Sequence, residues 1–244
     1  MKKFKASYSY PLEHPIKVVV ERIGRQGLVA WLMQKYGQNV DINKDLVISE
    51  RIIELPMLHE WIGAIFPKRE GKVLEIGHVA SSTALELASL GFDMTAIDLR
   101  PYPFKHKNLT SLQGDFLTYS FSEKFDFIYS LSTIEHFGFS KRYGGDDISD
   151  NKLDEEAFKK ISESLKQGGR AVVSFPYALS HVPGIWFRVY TREELEQKLS
   201  KYFKLEQSCY YRRDRNEWTR VDDRKGDPAS PHDGVALFLL SPKQ

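Results

Sequence analysis

Cysteine is almost absent from this sequence, since Cys209 is the only one among 244 residues. The chain therefore forms no internal disulfide and has no cysteine-based zinc site. It also lacks an apolar run of the roughly 18 residues that a membrane helix requires. The N-terminal segment MKKFKASYSYP is charged and has no apolar centre of the kind found in signal peptides. We expect a cytoplasmic protein that does not act on a membrane.

An excess of one charge is missing as well, because 35 lysines and arginines face 33 aspartates and glutamates. This balance gives no long-range field that would attract nucleic acid. The arginine-rich stretch 212–220 also contains aspartate and glutamate, and we expect a solvated loop or a contact for a small anion there. Hydrophobic residues make up 41% of the chain, which suffices for a buried core at this length.

The chain is organised around residues 72–98, KVLEIGHVASSTALELASLGFDMTAID. The apolar run 73–76 predicts a buried parallel strand that ends at Gly77. A helix with an apolar face follows and ends at Gly91, and a second buried strand ends at Asp98. This order predicts a strand–helix–strand unit of the kind that binds nucleotides.

The chemistry of this unit follows from its geometry. Ligands of open parallel sheets bind beyond the carboxyl ends of the strands. A helix N-terminus, capped here by Ser81 or Ser82, offers unpaired N–H groups at that edge. A carboxylate such as Asp98 can accept hydrogen bonds from both hydroxyls of a ribose. Glu75, Gly77 and Asp98 therefore outline a nucleoside site.

Further strands and helices alternate along the rest of the chain. Strands are predicted at 109–112, 125–129, 171–175, 203–211 and 235–240, and helices at 154–167 and after the capping box at 191–194. Alternation predicts an α/β fold with a doubly wound, mostly parallel sheet. The last two strands lack a helix between them, which predicts an antiparallel hairpin at one edge. We place an N-terminal helical extension at 1–70 and the main domain at 71–244.

Six motifs in order resemble those of the class I S-adenosylmethionine-dependent methyltransferases. They are VLEIG (73–77), AIDL (96–99), GDF (114–116), KFDFIYSLSTIEHFG (124–138), LKQGGRAVVSFP (165–176) and YTREEL (190–195). The resemblance implies a seven-stranded Rossmann-like sheet with an antiparallel terminal strand, and S-adenosylmethionine as cofactor. The stretch 132–145 also resembles methyltransferase-like proteins of bacteria and archaea associated with glycan biosynthesis.

The resemblance implies roles for residues at the strand ends. Asp98 would bind the ribose hydroxyls, and Leu99 would flank the adenine. Asp115 would accept a hydrogen bond from the adenine amino group, with Phe116 beside the ring. The carbonyl of Leu131 would accept from the cofactor ammonium group.

The first turn departs from the family's glycine-rich pattern. Gly77 would lie under the methionine part of the cofactor, with Glu75 supporting the polar network, but Val79 and Ser81 replace two glycines. A positive φ at Val79 would cost about 1–3 kcal/mol, so either the backbone there is ordinary or the pocket is altered. We place Ser81 among the cofactor-binding residues. His78 either contacts the cofactor carboxylate or faces solvent.

Glu135 and His136 follow the fourth strand, where the transferred methyl group should point. A histidine can take the proton that the acceptor loses. The alternative is that this pair only holds the loop by hydrogen bonds. In the following loop, Tyr143 and Asp146 are candidates for binding a polar substrate such as a sugar, although the loop could simply be solvated. No metal-binding spacing is present, so we predict no metal.

The sequence thus predicts methyl transfer from S-adenosylmethionine to an oxygen or nitrogen atom of a small polar acceptor, such as a glycan precursor. One alternative is a methyltransferase fold that has lost catalysis and serves as a binding module. Another is a nicotinamide-dependent oxidoreductase, whose own glycine fingerprint is equally incomplete here.

Overall fold

The computed structural model of the chain describes residues 49–79, 81–139, 152–180, 187–215, 217–230 and 232–243. Residues Ser49–Gln244 form one compact unit. The helices predicted before residue 49 lie outside the described residues, and the domain boundary at residue 70 stays a prediction. No helix in the described ranges has the length and apolar character needed to cross a membrane.

The regular elements are as follows. The helices are α1 (Arg51–Ile65), α2 (Thr83–Leu90), α3 (Leu153–Ser164) and α4 (Arg192–Leu199), with a short 3₁₀ helix at Ile134–His136. The strands are β1 (Lys72–Ile76), β2 (Asp93–Asp98), β3 (Leu109–Gln113), β4 (Phe125–Leu131), β5 (Leu165–Pro176), β6 (Phe203–Asp214), β7 (Glu217–Arg220) and β8 (Gly234–Pro242).

The strands form one eight-stranded sheet in the order β3-β2-β1-β4-β5-β8-β6-β7. The first five strands are parallel, whereas β8, β6 and β7 pair antiparallel with their neighbours. The predicted α/β fold with a mostly parallel sheet is therefore confirmed. Because β2, β1 and β4 are parallel neighbours, their carboxyl ends lie at the same edge of the sheet. The strand order reverses its direction between β1 and β4, and ligands of such sheets bind at that point.

One detail of the C-terminal strands differs from the prediction. β6 and β8 pair antiparallel as expected, with β8 between β5 and β6, but this pair does not end the sheet. The edge is taken by β7, which extends the sheet to eight strands by forming a hairpin with β6. β7 has only four residues, EWTR, and two of them are charged. Such a short segment shows no alternation of apolar and polar residues from which a strand could be predicted.

Helices cover both faces of the sheet. α1 and α2 contribute Leu58, Trp61 and Leu87 to the apolar cluster on one face. α3 and α4 contribute Phe158 and Leu195 to the cluster on the other face. The central strands are therefore buried on both sides, which explains why their sequences are continuous apolar runs.

The start of β5 corrects a predicted boundary. We expected α3 to continue to Gln167 and to stop at Gly168-Gly169, but the helix ends at Ser164 and β5 begins at once. Leu165 already pairs with Phe125 of β4, and the register shifts before Phe127 pairs with Arg170. The two glycines therefore lie in an irregularity of the strand and do not end the helix.

Candidate functional site

A cavity of about 520 Å³ opens at the carboxyl ends of β1, β2, β3 and β4. This volume is in the range of small-molecule sites. Its lining includes six residues that the sequence analysis singled out: Gly77, Asp98, Leu99, Asp115, Phe116 and His136. A more open groove of about 830 Å³ beside α3 contains none of the predicted site residues, so the chemistry points to the first cavity.

Asp98 ends β2 and is buried, with 8% of its surface exposed. Its Oδ2 atom accepts a hydrogen bond from the Val79 backbone N–H at 3.1 Å. This bond ties the end of β2 to the turn after β1, so the carboxylate lies on the cavity wall as the nucleoside hypothesis requires. The role of Asp98 in binding ribose stays a prediction.

Arg100 is a cavity residue that the sequence analysis missed. Oδ1 of Asp98 accepts from the Arg100 backbone N–H and from its Nε, each at 3.0 Å, and Oδ2 accepts from its Nη2 at 3.1 Å. Burial alone would raise the pKa of Asp98, but the hydrogen bonds and the charge of Arg100 outweigh it and lower this pKa. Asp98 is therefore held as a carboxylate.

The turn after β1 is built on a single glycine. Gly77 has a φ of +86°, and a Cβ atom on it would lie 2.3 Å from Cγ2 of Thr133. Both facts exclude a larger residue. Val79 does not adopt a positive φ, so the ordinary backbone conformation is the correct alternative at that position.

Glu75 lies beneath this turn and is almost completely buried. Its Oε2 atom has no hydrogen-bond partner among the described residues, and neither has the hydroxyl of Tyr129. Burial raises the pKa of Glu75 to about 7, although the polar groups of Tyr129 and Ser81 and the charge of Arg51 act in the opposite direction. Glu75 does not line the cavity, so its supporting role stays a prediction.

His78 and Ser81 lie beside the cavity and not on its wall. His78 is fully buried, with Nε2 at 2.9 Å from Oγ of Ser111 and its ring 4.7 Å from that of Tyr102. The prediction that His78 faces solvent is therefore wrong, and burial lowers its pKa. Oγ of Ser81 accepts from the Thr83 N–H at 3.0 Å, whereas Ser82, at the N-cap position of α2, makes no capping hydrogen bond with its side chain. Contacts of either residue with a cofactor stay predictions.

Three predicted residues of the cavity wall lie just after the ends of β2 and β3. Leu99 follows Asp98, and buried Phe116 supplies an apolar wall. Asp115 is exposed, and its Oδ1 accepts from the Leu117 N–H at 2.8 Å. The other carboxylate oxygen therefore has room for a further donor. This group suits a flat base with an exocyclic amino group.

Leu131 ends β4 and is not among the residues that line the cavity, so its contact with a cofactor ammonium group stays a prediction. Its side chain is buried, and its carbonyl accepts from Arg51 at 3.3 Å and from the Thr133 hydroxyl at 3.0 Å. Arg51, at the start of α1, lines the cavity and was not predicted. A cofactor ammonium group would have to compete with these donors for the Leu131 carbonyl.

Glu135 and His136 form the short helix after β4. The His136 side chain is 22% exposed and reaches the cavity, while Nε2 lies 3.8 Å from Oε1 of Glu135. Glu135 is buried, and burial raises its pKa well above the usual value. Burial therefore favours the protonated form of Glu135, and His136 is the member of the pair that lines the cavity.

The remaining predicted residues, Tyr143 and Asp146, lie outside the described residues. Within the described ranges, no group of three or more histidine, cysteine, aspartate or glutamate side chains could hold a metal ion.

Residues 74–173 match the family described as the methyltransferase domain. The fold resembles the 1,6-didemethyltoxoflavin-N1-methyltransferase of Burkholderia thailandensis, solved with S-adenosylhomocysteine, with a TM-score of 0.56 and 16% identity over 96% of this chain and 93% of that one. It also resembles the N-methyltransferase NodS of Bradyrhizobium japonicum, with a TM-score of 0.55 and 16% identity over 82% and 90% of the two chains. No curated protein matches the chain by sequence. Residues 74–173 are thus similar to a methyltransferase domain, and the sheet has the fold of these two methyltransferases.

Proposed function

We propose that the protein transfers a methyl group from S-adenosylmethionine to a nitrogen or oxygen atom of a small polar acceptor. The observation that carries this proposal is the single cavity that joins Gly77, Asp98, Asp115 and His136 at the carboxyl ends of the parallel strands. Two fold neighbours are N-methyltransferases, one of them solved with bound 1,6-didemethyltoxoflavin, which supports the same reaction class.

The residues present fit this cofactor. The bare backbone at Gly77 is a cradle that a Cβ atom would fill, so the chain keeps space open there. The buried, ionised Asp98 is suited to a ribose diol, and Asp115 beside Phe116 is suited to an adenine ring. Arg51 supplies a positive charge near Gly77, where it would meet the carboxylate of the methionine part.

The cofactor supplies a sulfonium-bound methyl group, which moves as the C–S bond breaks and the bond to the acceptor atom forms. The protein's own task is then to hold the acceptor in line and to take its proton. His136 is the group in the described cavity wall that can accept a proton near neutral pH. Burial raises the pKa of the neighbouring Glu135 and so disfavours a negative charge beside the histidine.

The test is binding followed by turnover. We expect S-adenosylmethionine and S-adenosylhomocysteine to raise the melting temperature, whereas NAD and NADP leave it unchanged, because a ligand that binds only the folded state stabilises it. Asp98→Ala should abolish the shift while the variant keeps its circular dichroism spectrum. A shift with the nicotinamide cofactors alone would overturn the proposal.

The acceptor is to be found by screening amines, heterocycles and sugars for formation of S-adenosylhomocysteine. A sugar acceptor would engage Tyr143 and Asp146 in the loop after β4, as the sequence analysis predicts. If the cofactor binds but no acceptor class in the screen is turned over, the non-catalytic binding module becomes the better description.

A further inference from the structure

Glu54 is a fully buried acidic residue on the apolar face of α1, and burial raises the pKa of its carboxyl group, although Arg51 and the hydroxyls of Ser132 and Ser174 act in the opposite direction. A buried carboxylate is costly unless hydrogen bonds and charges compensate it. Its Oε1 atom accepts from the Ser132 hydroxyl at 2.6 Å and also from the Ser174 hydroxyl, and its Oε2 atom accepts from Nη1 of Arg51 at 2.8 Å. α1 is therefore joined by polar contacts to the ends of β4 and β5.

These contacts converge on a strained residue. Ser132 has a φ of +44°, in the left-handed region that residues other than glycine seldom adopt. Its N–H donates to Oγ of Ser174 at 2.9 Å, while its hydroxyl donates to Glu54. Nη2 of Arg51 donates to the carbonyl of the preceding Leu131 at 3.3 Å. Such conformations persist where the surroundings fix them, and they concentrate at functional sites.

The strained segment forms part of the cavity wall. Ser132 and Thr133 both line the cavity beside Gly77, and the space above Gly77 is limited by the Thr133 side chain. The short helix that carries His136 begins at the next residue, Ile134. The direction that the chain takes at Ser132 thus sets both the depth of the cavity at Gly77 and the approach of His136.

We propose that Glu54 is a positioning residue: by holding Ser132 in its left-handed conformation, it shapes the end of the cavity that takes the amino-acid part of the cofactor. The proposal rests on the proposed function, because that function supplies the ligand. At the nucleoside end, formed by Asp98, Leu99 and Asp115, the side-chain hydrogen bonds of the two aspartates in the described residues join Val79, Arg100 and Leu117 and not this network. Two ligands that differ only in the amino-acid part should therefore respond differently to a change at Glu54.

The experiment compares S-adenosylhomocysteine with 5′-methylthioadenosine, which lacks the amino-acid part, by titration calorimetry. Glu54→Gln keeps the side-chain volume but leaves one oxygen for the three donors of Ser132, Ser174 and Arg51, so the hold on Ser132 is weakened. We expect S-adenosylhomocysteine to bind about tenfold more weakly, the loss of about one charge-assisted bond. The affinity for 5′-methylthioadenosine should stay within about twofold. Equal weakening of both ligands, or of neither, would overturn the proposal.

A matched control is Asp227→Asn. Asp227 is another buried acid, paired with Arg192 on α4, and neither residue lines the cavity. This variant should lose stability without changing the ratio of the two affinities. If it changes the ratio as Glu54→Gln does, the effect is one of general stability and the proposal fails.

Ser132→Gly provides a second, independent readout. Glycine adopts a φ of +44° without steric cost, so it needs less support from Glu54. Adding Ser132→Gly to Glu54→Gln should restore part of the lost affinity for S-adenosylhomocysteine. A double variant that binds no better than Glu54→Gln would contradict the role of the strained conformation. If the unchanged protein binds neither ligand, the proposed function itself has failed.

Discussion

Replacing Arg100 with alanine should strengthen cofactor binding, although Arg100 lines the cavity. The four hydrogen bonds that Asp98 accepts come from Val79 N–H, from the Arg100 backbone and from two atoms of its guanidinium group. A carboxylate offers about four lone-pair positions, so all are occupied. A ribose diol can donate two bonds to Asp98 only if the guanidinium group withdraws.

The expected gain in affinity depends on how exposed the ion pair of Arg100 and Asp98 is to solvent. Hydrogen bonds to charged groups contribute about 1.5–3 kcal/mol each when buried. The Arg100 side chain is 18% exposed, however, and a guanidinium group that withdraws regains water. Ion pairs near the surface contribute about 1 kcal/mol or less. We therefore expect a gain between these limits, of about 1–2 kcal/mol, or about 5- to 30-fold in affinity for S-adenosylhomocysteine.

Titration calorimetry measures this change directly. Arg220→Ala is the control for the loss of one positive charge, because Arg220 lies on the exposed strand β7 and pairs with Asp222. That variant should bind as the unchanged protein does. If Arg100→Ala binds S-adenosylhomocysteine equally well or more weakly, then Arg100 does not compete for Asp98 and the reasoning is refuted.

Three further changes test other parts of the site. Gly77→Ala places a Cβ atom 2.3 Å from Thr133 at a φ of +86°. The free energy of unfolding, measured in urea, should therefore fall by about 3 kcal/mol. A fall below about 1 kcal/mol would contradict the packing argument. Burial raises the pKa of Glu75 from 4.5 to about 7, so the native state holds an extra proton between these values and the free energy of unfolding should fall as the pH rises through this range. The total fall is about 3 kcal/mol, and Glu75→Gln should abolish it in urea titrations at pH 5 and pH 8; an unchanged pH dependence would show that another group is responsible. His136→Gln should lower the turnover of an acceptor found by screening by about 10²- to 10⁴-fold with unchanged affinity for S-adenosylhomocysteine, whereas unchanged turnover would exclude His136 as the base.

The fold was predictable where the residues that determine an element are close together in the sequence. The strand–helix–strand unit from β1 to β2 shows its apolar runs and its turn within 27 residues of sequence, and the capping box at Thr191 is confirmed. The strand β7 and the early start of β5 were not predictable. Both depend on pairing with a neighbouring strand, β6 and β4 respectively, and such pairing overrides local preference.

The same distinction holds for the site. Asp98 and Asp115 were found because the end of a strand is visible in the sequence and the edge of a parallel sheet collects such ends. Arg51 and Glu54 were missed because their partners are remote: Glu54 is 78 residues from Ser132 and 120 from Ser174. A glutamate on a helix is usually solvated, and nothing in the local pattern marks this one as buried.

The incomplete glycine motif is the feature that most favoured a protein without a cofactor, and the geometry of the turn removes that reason. The family's motif has glycines at positions 77, 79 and 81. Of these positions, only 77 combines a positive φ with a neighbouring atom that is too close for a side chain. At Val79 the backbone is ordinary, and the N–H group, which every residue except proline has, is what binds Asp98. At Ser81 the hydroxyl accepts from the N–H of Thr83, the first residue of α2, a bond that glycine could not make. Each replacement therefore falls where this turn does not require a glycine, and the one indispensable glycine is kept.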